Sequence, residues 1–180
     1  MFFDVKQDII VYHGSTSLID IIDVEKGKPY KDFGNGFYVT QEFSHARNLA
    51  VRNKRLEQEW HGQDRTAYVY AYALDINKAQ GFAIKEFNVA DLDWIRFVLS
   101  NRRVRGRTHD YDIVIGPTAN DDTSLVLKSY FGGLYGDIES ERALQTVLDM
   151  IESEKLPVQI YFGSNDATVC LKQKGAARKV

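Results

Sequence analysis

Apolar and polar positions alternate most regularly over residues 67–74, where Ala-Tyr-Val-Tyr-Ala-Tyr-Ala-Leu sets small against aromatic side chains and predicts a strand. Ile9 to His13 is a shorter β-rich run, broken by Gly14, and predicts the first strand. Asp32-Phe33-Gly34-Asn35-Gly36 is a turn cluster, and the strand Phe37-Tyr38-Val39-Thr40 follows it. From Gln41 to Trp60 the spacing becomes helical. Phe43, Ala46 and Ala50, with Leu49, Leu56 and Trp60, share one face opposite Arg47, Asn53, Lys54 and Glu57.

The second half mixes the two periods. Asp91 to Leu99 predicts a helix with Leu92, Ile95, Val98 and Leu99 on one stripe and an acid at its start. Tyr111 to Ile115 reads as a buried strand that stops at Gly116-Pro117, and Thr123 to Phe131 as a helix that stops at Gly132-Gly133. Ile138 to Glu154 is a stronger helix, Val158 to Phe162 a strand, and Ala167 to Lys174 a short terminal helix. No strict βαβ alternation and no GxGxxG after a strand is present. The pattern predicts an α+β fold rather than a doubly wound sheet. With no Ser/Gly-rich linker and no internal repeat, residues 1–180 read as one domain, a size that 180 residues fill comfortably.

Composition narrows the class without adding chemistry. The chain is 44% apolar and 27% charged, which excludes disorder, collagen and coiled coil. A net charge of −2 argues against a protein wholly given to nucleic acid or to an anionic membrane. No apolar run has membrane-helix length, and MFFDVKQDII lacks the basic n-region and cleavage site of a signal peptide, so a cytoplasmic protein is expected. The single cysteine, Cys170, excludes a disulfide within the chain and a thiolate zinc cage, and reads as a small core residue. The four histidines, His13, His45, His61 and His109, are scattered without an HExxH, so no metal is expected. There is no G-x-S-x-G elbow and no P-loop.

Two segments remain. Tyr12-His13-Gly14-Ser15 is a strand end carrying an imidazole beside a glycine whose backbone a ligand can approach closely. Gly34-Asn35-Gly36-Phe37-Tyr38 is a bare turn that then presents aromatics from a strand. A histidine donor, exposed backbone and a flat ring suit a ligand with sugar hydroxyls and an aromatic amide. Each segment alone has a plainer reading: the Gly-Asn-Gly is a turn, and His13 is a surface or core histidine.

Together the pair resembles the first two motifs of the ADP-ribosyltransferase superfamily, in its diphtheria-toxin and poly(ADP-ribose)-polymerase branch. There a His-Gly on the first strand is followed by a Gly-x-Gly-x-Tyr segment that precedes a helix. With Tyr111-Asp112, Gly116-Pro117-Thr118-Ala119-Asn120-Asp121 and Gln159-Ile160-Tyr161-Phe162 added, the chain is similar to a bacterial toxin-type family of that superfamily. The likeness runs in patches from Tyr12 to about Leu171. It implies a split, strongly bent antiparallel β-structure with flanking helices and NAD, the substrate, in the cleft. It implies nicotinamide release, transfer to a macromolecular acceptor (protein or nucleic acid), and a neutralising antitoxin partner. His13 would hold a ribose hydroxyl and the Gly14 backbone the carboxamide, with Ser15 and Gly36 beside them. Tyr38 would stack on nicotinamide, with Phe37 behind it in the core.

The third motif departs from the pattern. A glutamate is expected where Pro157-Val158-Gln159-Ile160 carries Gln159. Breaking the nicotinamide–ribose bond builds positive charge on the sugar, which a carboxylate stabilises and an amide dipole stabilises less. Gln159 therefore leaves two readings open: a transferase working with glutamine, and a catalytically silent NAD or nucleotide-binding module. A strand residue facing solvent is its plainest role.

Asn120 and Asp121 follow a buried strand and read either as residues over the cleft or, for Asp121 and Asp122, as caps of the next helix. Arg96, Arg102, Arg103, Arg105 and Arg107 place five arginines in twelve residues without an acid among them. That run reads as a solvated loop or as a grip on phosphate, an acidic partner or nucleic acid. Lys172, Lys174, Arg178 and Lys179 read as a frayed basic tail.

Overall fold

The computed structural model describes residues 9–119, 121–151 and 156–180. Among them the chain forms strands β1 (Ile9–Ser15), β2 (Phe37–Thr40), β3 (Tyr68–Leu74), β4 (Ile84–Glu86), β5 (Ile113–Pro117), β6 (Val158–Phe162), β7 (Leu171–Gln173) and β8 (Arg178–Lys179). The helices are α1 (Phe43–His61), α2 (Ile76–Ala79), α3 (Leu92–Arg102), α4 (Asp121–Phe131) and α5 (Glu141–Met150). The strands join in one sheet, β4-β5-β6-β2-β1-β3-β7, with β8 also on β3. Only β4–β5 is parallel among the described pairings; every other one is antiparallel. The fold is α+β.

Local chemistry explains the element boundaries. Asp91 accepts from the Trp94 amide and Ser140 from the Ala143 amide, capping α3 and α5. Gly62, at φ 64, ends α1 in the left-handed conformation that glycine adopts without strain. The Trp94 indole donates to the Pro117 carbonyl at 2.9 Å, fastening α3 to the end of β5.

Alternation along the strands builds a core on each face. One gathers Val11, Phe37, Tyr72, Ile160 and Phe162; the other gathers Phe33, Trp94, Val114, Leu144 and Tyr161 beneath the helices. Each such aliphatic or aromatic side chain contributes roughly 1.5–3 kcal/mol by leaving water.

The sheet changes character between β1 and β2. β1 pairs with β3 along its whole length, Ile9↔Leu74 to Ser15↔Tyr68. Against β2 it pairs at Tyr12↔Thr40 alone, and the two strands then part.

Several expectations need correction. The C-terminal stretch is not a frayed tail. Asp166–Cys170 is a short 3-10 turn and not the start of a helix, and β7 and β8 then pair with β3. An unpaired edge on β3 draws the chain into strands against its local helical composition. Trp60 is not on the packed face of α1 but 73% exposed, because the apolar stripe narrows to Ala46 and Ala50 where the helix crosses β1. β5 runs through Gly116-Pro117 instead of stopping before them. The helix expected over 138–154 begins after the Ser140 cap; residues 152–155 lie outside the described residues.

Candidate functional site

β1, β2 and β6 lie side by side and carry His13, Tyr38 and Gln159 respectively. Tyr38 pairs with Tyr161 and Thr40 with Gln159, so Tyr38 and Gln159 share one face of the sheet. His13 follows Tyr12, whose partner is Thr40, and so points to the other face. There its ring stacks on Phe37 at 4.2 Å between centroids. His13 meets Tyr38 through the backbone, its Nδ1 lying 2.7 Å from the Tyr38 carbonyl where the strands part. A carbonyl only accepts, so Nδ1 carries the proton and Nε2 is an acceptor. The expected histidine donor is thus already used; what the ring offers a ligand is a lone pair. Burial lowers its pKa to about 4, keeping it neutral at pH 7.

Tyr38 is anchored at its tip. Its hydroxyl donates to the Gly34 carbonyl at 2.6 Å and accepts from the Phe33 amide at 3.1 Å. The ring lies 5.2 Å from Tyr161 and 6.4 Å from Phe33 and is half-buried. Burial and the neighbouring Asp32 carboxylate push the phenol well above its usual pKa, so it stays protonated.

Gln159 does not face solvent. It is buried, and its Nε2 donates to Asp32 Oδ2 at 2.9 Å. Asp32 is the hub of this side of the site. Its Oδ1 receives Arg102 Nε at 2.7 Å and Nη2 at 2.6 Å. Its Oδ2 also receives the Ala119 amide at 2.9 Å and the Thr118 hydroxyl at 3.4 Å. Arg102 in turn reaches the Ala119 carbonyl at 2.8 Å. The turn before β2, the end of α3, the end of β5 and the start of β6 therefore converge on one buried ion pair.

The glycines act through packing. A Cβ on Gly14 would lie 2.1 Å from the Ala46 carbonyl oxygen of α1, so glycine is what lets the helix cross β1 there. A Cβ on Gly36 would meet the Tyr161 ring at 2.3 Å. Both are therefore glycine for close element contact, whatever else approaches their backbone. Phe37 is buried between His13 and Tyr72. Ser15 closes a local turn, its hydroxyl bonded to the Ser17 amide and carbonyl at 3.0 Å.

The remaining candidates do not join this cluster as expected. Asn120 lies outside the described residues, and Asp121 opens α4 two residues before the expected start. The arginine run is largely tied into the fold. Arg103 pairs with Glu139 at 2.8 Å and covers the Phe131 ring, and Arg107 binds the Gly163 carbonyl at 3.0 Å. Arg105 is exposed in the loop. Among the described residues no three His, Cys, Asp or Glu side chains come together as metal ligands would. No described helix is long and apolar enough to cross a membrane.

Sequence reasoning missed Asp32 and Arg102 as a pair. The one available signal was an acid within a turn cluster, directly before the apolar Phe33, since a buried carboxylate requires a cation.

The chain belongs to the family described as a protein of unknown function, DUF3990, whose profile matches residues 9–173 and so takes in His13, Asp32, Tyr38, Arg102 and Gln159. No curated protein and no solved structure matches it.

Proposed function

We propose that the protein is a cytoplasmic, NAD-dependent ADP-ribosyltransferase of the toxin type, modifying a macromolecule and held in check by a neutralising partner. The observation that supports this reading is the placement of His13, Tyr38 and Gln159 on three adjacent strands, Tyr38 and Gln159 on one face and His13 reaching the Tyr38 carbonyl from the other, beside the point where β1 and β2 part. In the reaction the bond between ribose C1′ and the nicotinamide nitrogen breaks, and its electron pair leaves with nicotinamide. A nucleophile on the acceptor supplies the pair for the new bond to C1′ and gives up its proton to solvent. The transition state is oxocarbenium-like, and positioning matters more than an acid or base. His13 Nε2 accepts from a ribose hydroxyl, the Gly14 backbone meets the carboxamide, the Tyr38 ring faces nicotinamide, and Gln159 holds the ribose from the third strand. Incubation with labelled NAD and a cell lysate tests this. Label on a macromolecule is expected; no transfer together with no NAD binding by calorimetry overturns it.

One observation favours a second reading. The carboxylate nearest Gln159, that of Asp32, is already paired with Arg102. A site whose acid is compensated binds the dinucleotide without cleaving it, as a sensor would. NAD binding without nicotinamide release distinguishes that module from the transferase.

A further inference from the structure

We propose that Asp32, braced by Arg102, is a positioning residue that fixes the Gln159 carboxamide with its Nε2 toward the core and its Oε1 toward the ribose of bound NAD. The proposal rests on the transferase reading for the identity of the ligand, but the orientation of the amide has its own physical basis.

An amide has two ends, and only the oxygen end accepts a hydroxyl hydrogen bond and faces a growing positive charge with its negative pole. A glutamine free to rotate presents either. Here Gln159 is 9% exposed and Asp32 4%, so water competes little for either group. An ionised carboxylate only accepts, which compels the amide to turn its NH2 to Asp32 across the 2.9 Å contact. Reversal would set Oε1 against Oδ2, acceptor to acceptor, without solvent to relieve it.

Asp32 cannot follow such a reversal. Arg102 donates twice to its Oδ1, while the Ala119 amide and the Thr118 hydroxyl hold its Oδ2. The carboxylate is immobilised from α3 and from the end of β5, and it immobilises the amide on β6. Asp32 and Gln159 are thus a matched pair. A glutamate at 159 would bring a second carboxylate to hydrogen-bond distance of Asp32, so the glutamine at the third strand and the acid in the turn require one another.

The test uses the full chain with NAD as the probe. The side-chain NH2 of Gln159, assigned in a 1H–15N spectrum by its absence from Gln159→Glu, is expected to exchange slowly with solvent in the parent and quickly in Asp32→Asn. In calorimetry, Asp32→Asn is expected to weaken NAD binding roughly tenfold or more, because the new amide can draw Oε1 away from the ligand. Asp32→Asn combined with Gln159→Glu is expected to bring binding back to within about threefold of the parent, since the introduced amide then donates to a carboxylate that offers oxygen on both sides. A merely structural role predicts no such rescue. Fast exchange of the Gln159 amide in the parent overturns the orientation whether or not NAD binds. Parental affinity in Asp32→Asn, or no recovery in a folded double variant, overturns the positioning role while leaving the NAD reading intact. Failure of the parent to bind NAD overturns that reading and the ribose role of Gln159 with it, and the exchange measurement still reports the Asp32 contact separately.

Discussion

His13 donates its Nδ1 proton to the backbone carbonyl of Tyr38 at 2.7 Å, bridging with a side chain the gap that opens between β1 and β2 after their pairing at Tyr12↔Thr40. Where a ladder hydrogen bond would otherwise close the sheet, an imidazole stands instead. The bond requires the neutral ring only in the sense that burial does: protonation would leave a cation among Phe37 and its neighbours.

Stability should therefore depend on pH through His13. Its folded pKa is lowered to about 4 from an ordinary 6.5, so the unfolded chain binds more protons between those values. The contribution is fully present above pH 6.5 and is lost as pH falls toward 4, on the order of 3 kcal/mol in all. His109, also lowered by burial, acts with the same sign. Urea midpoints from pH 4 to 7 should flatten in His13→Gln, and separately in His109→Gln. A His13→Gln profile as steep as the parent's would show that His13 is not the source.

Gly14→Ala should destabilise the fold by about 3 kcal/mol or more, because its Cβ meets α1 backbone at 2.1 Å and no side chain there can move aside. Gly106→Ala, where an added carbon meets nothing within 4 Å, should be close to neutral. Thermal melts of the two variants check the contrast.

Removing the cation from the buried pair should be costly. Arg102→Met leaves Asp32 charged, buried and short of two donors, a loss of about 3–5 kcal/mol. Arg103→Met, which gives up an exposed pair with Glu139, should cost less than about 1 kcal/mol. Denaturant titration of both variants separates the two arginines, although they are adjacent in sequence.

That separation marks where the sequence stops being readable. β2 and β6 were legible at their full extents, Phe37–Thr40 and Val158–Phe162, because turn chemistry brackets each and β-branched and aromatic residues dominate them. β7 was not, because three residues carry too little periodicity and the vacant edge of β3 decides their state. His13, Tyr38 and Gln159 stood out as residues with chemistry. Their partners did not, since the contacts of Asp32 with Arg102 and Gln159 span 70 and 127 residues. A run of arginines looked alike from 102 to 107; only packing distinguishes the one that neutralises a buried acid from those that pin a loop.

Gln159→Glu, the change that would restore a carboxylate to the third strand, should not improve the protein. The new group would stand against Asp32 at hydrogen-bond distance, in a buried site, and should lower stability by roughly 2–4 kcal/mol. Melting temperature and NAD cleavage measured together check this. A stable Gln159→Glu with faster nicotinamide release would count against the matched pair.

Tyr38 separates ring from hydroxyl. Its tip holds the turn through the Gly34 carbonyl and the Phe33 amide, whereas its ring is what would face nicotinamide. Tyr38→Phe removes both hydrogen bonds and keeps the ring, so it should lose about 1–3 kcal/mol of stability while NAD still raises the melting temperature. Tyr38→Ala removes the ring as well, opens a cavity between Phe33 and Tyr161, and should cost about 3–5 kcal/mol. If Tyr38 serves the ligand, a folded Tyr38→Ala should show no NAD-induced shift in its melting temperature, while Tyr38→Phe retains one near the parent's. Because the phenol stays protonated well above neutrality, neither result should vary between about pH 6 and 8 through this group. Loss of the shift in Tyr38→Phe would assign the binding role to the hydroxyl, and its persistence in Tyr38→Ala would remove Tyr38 from the site.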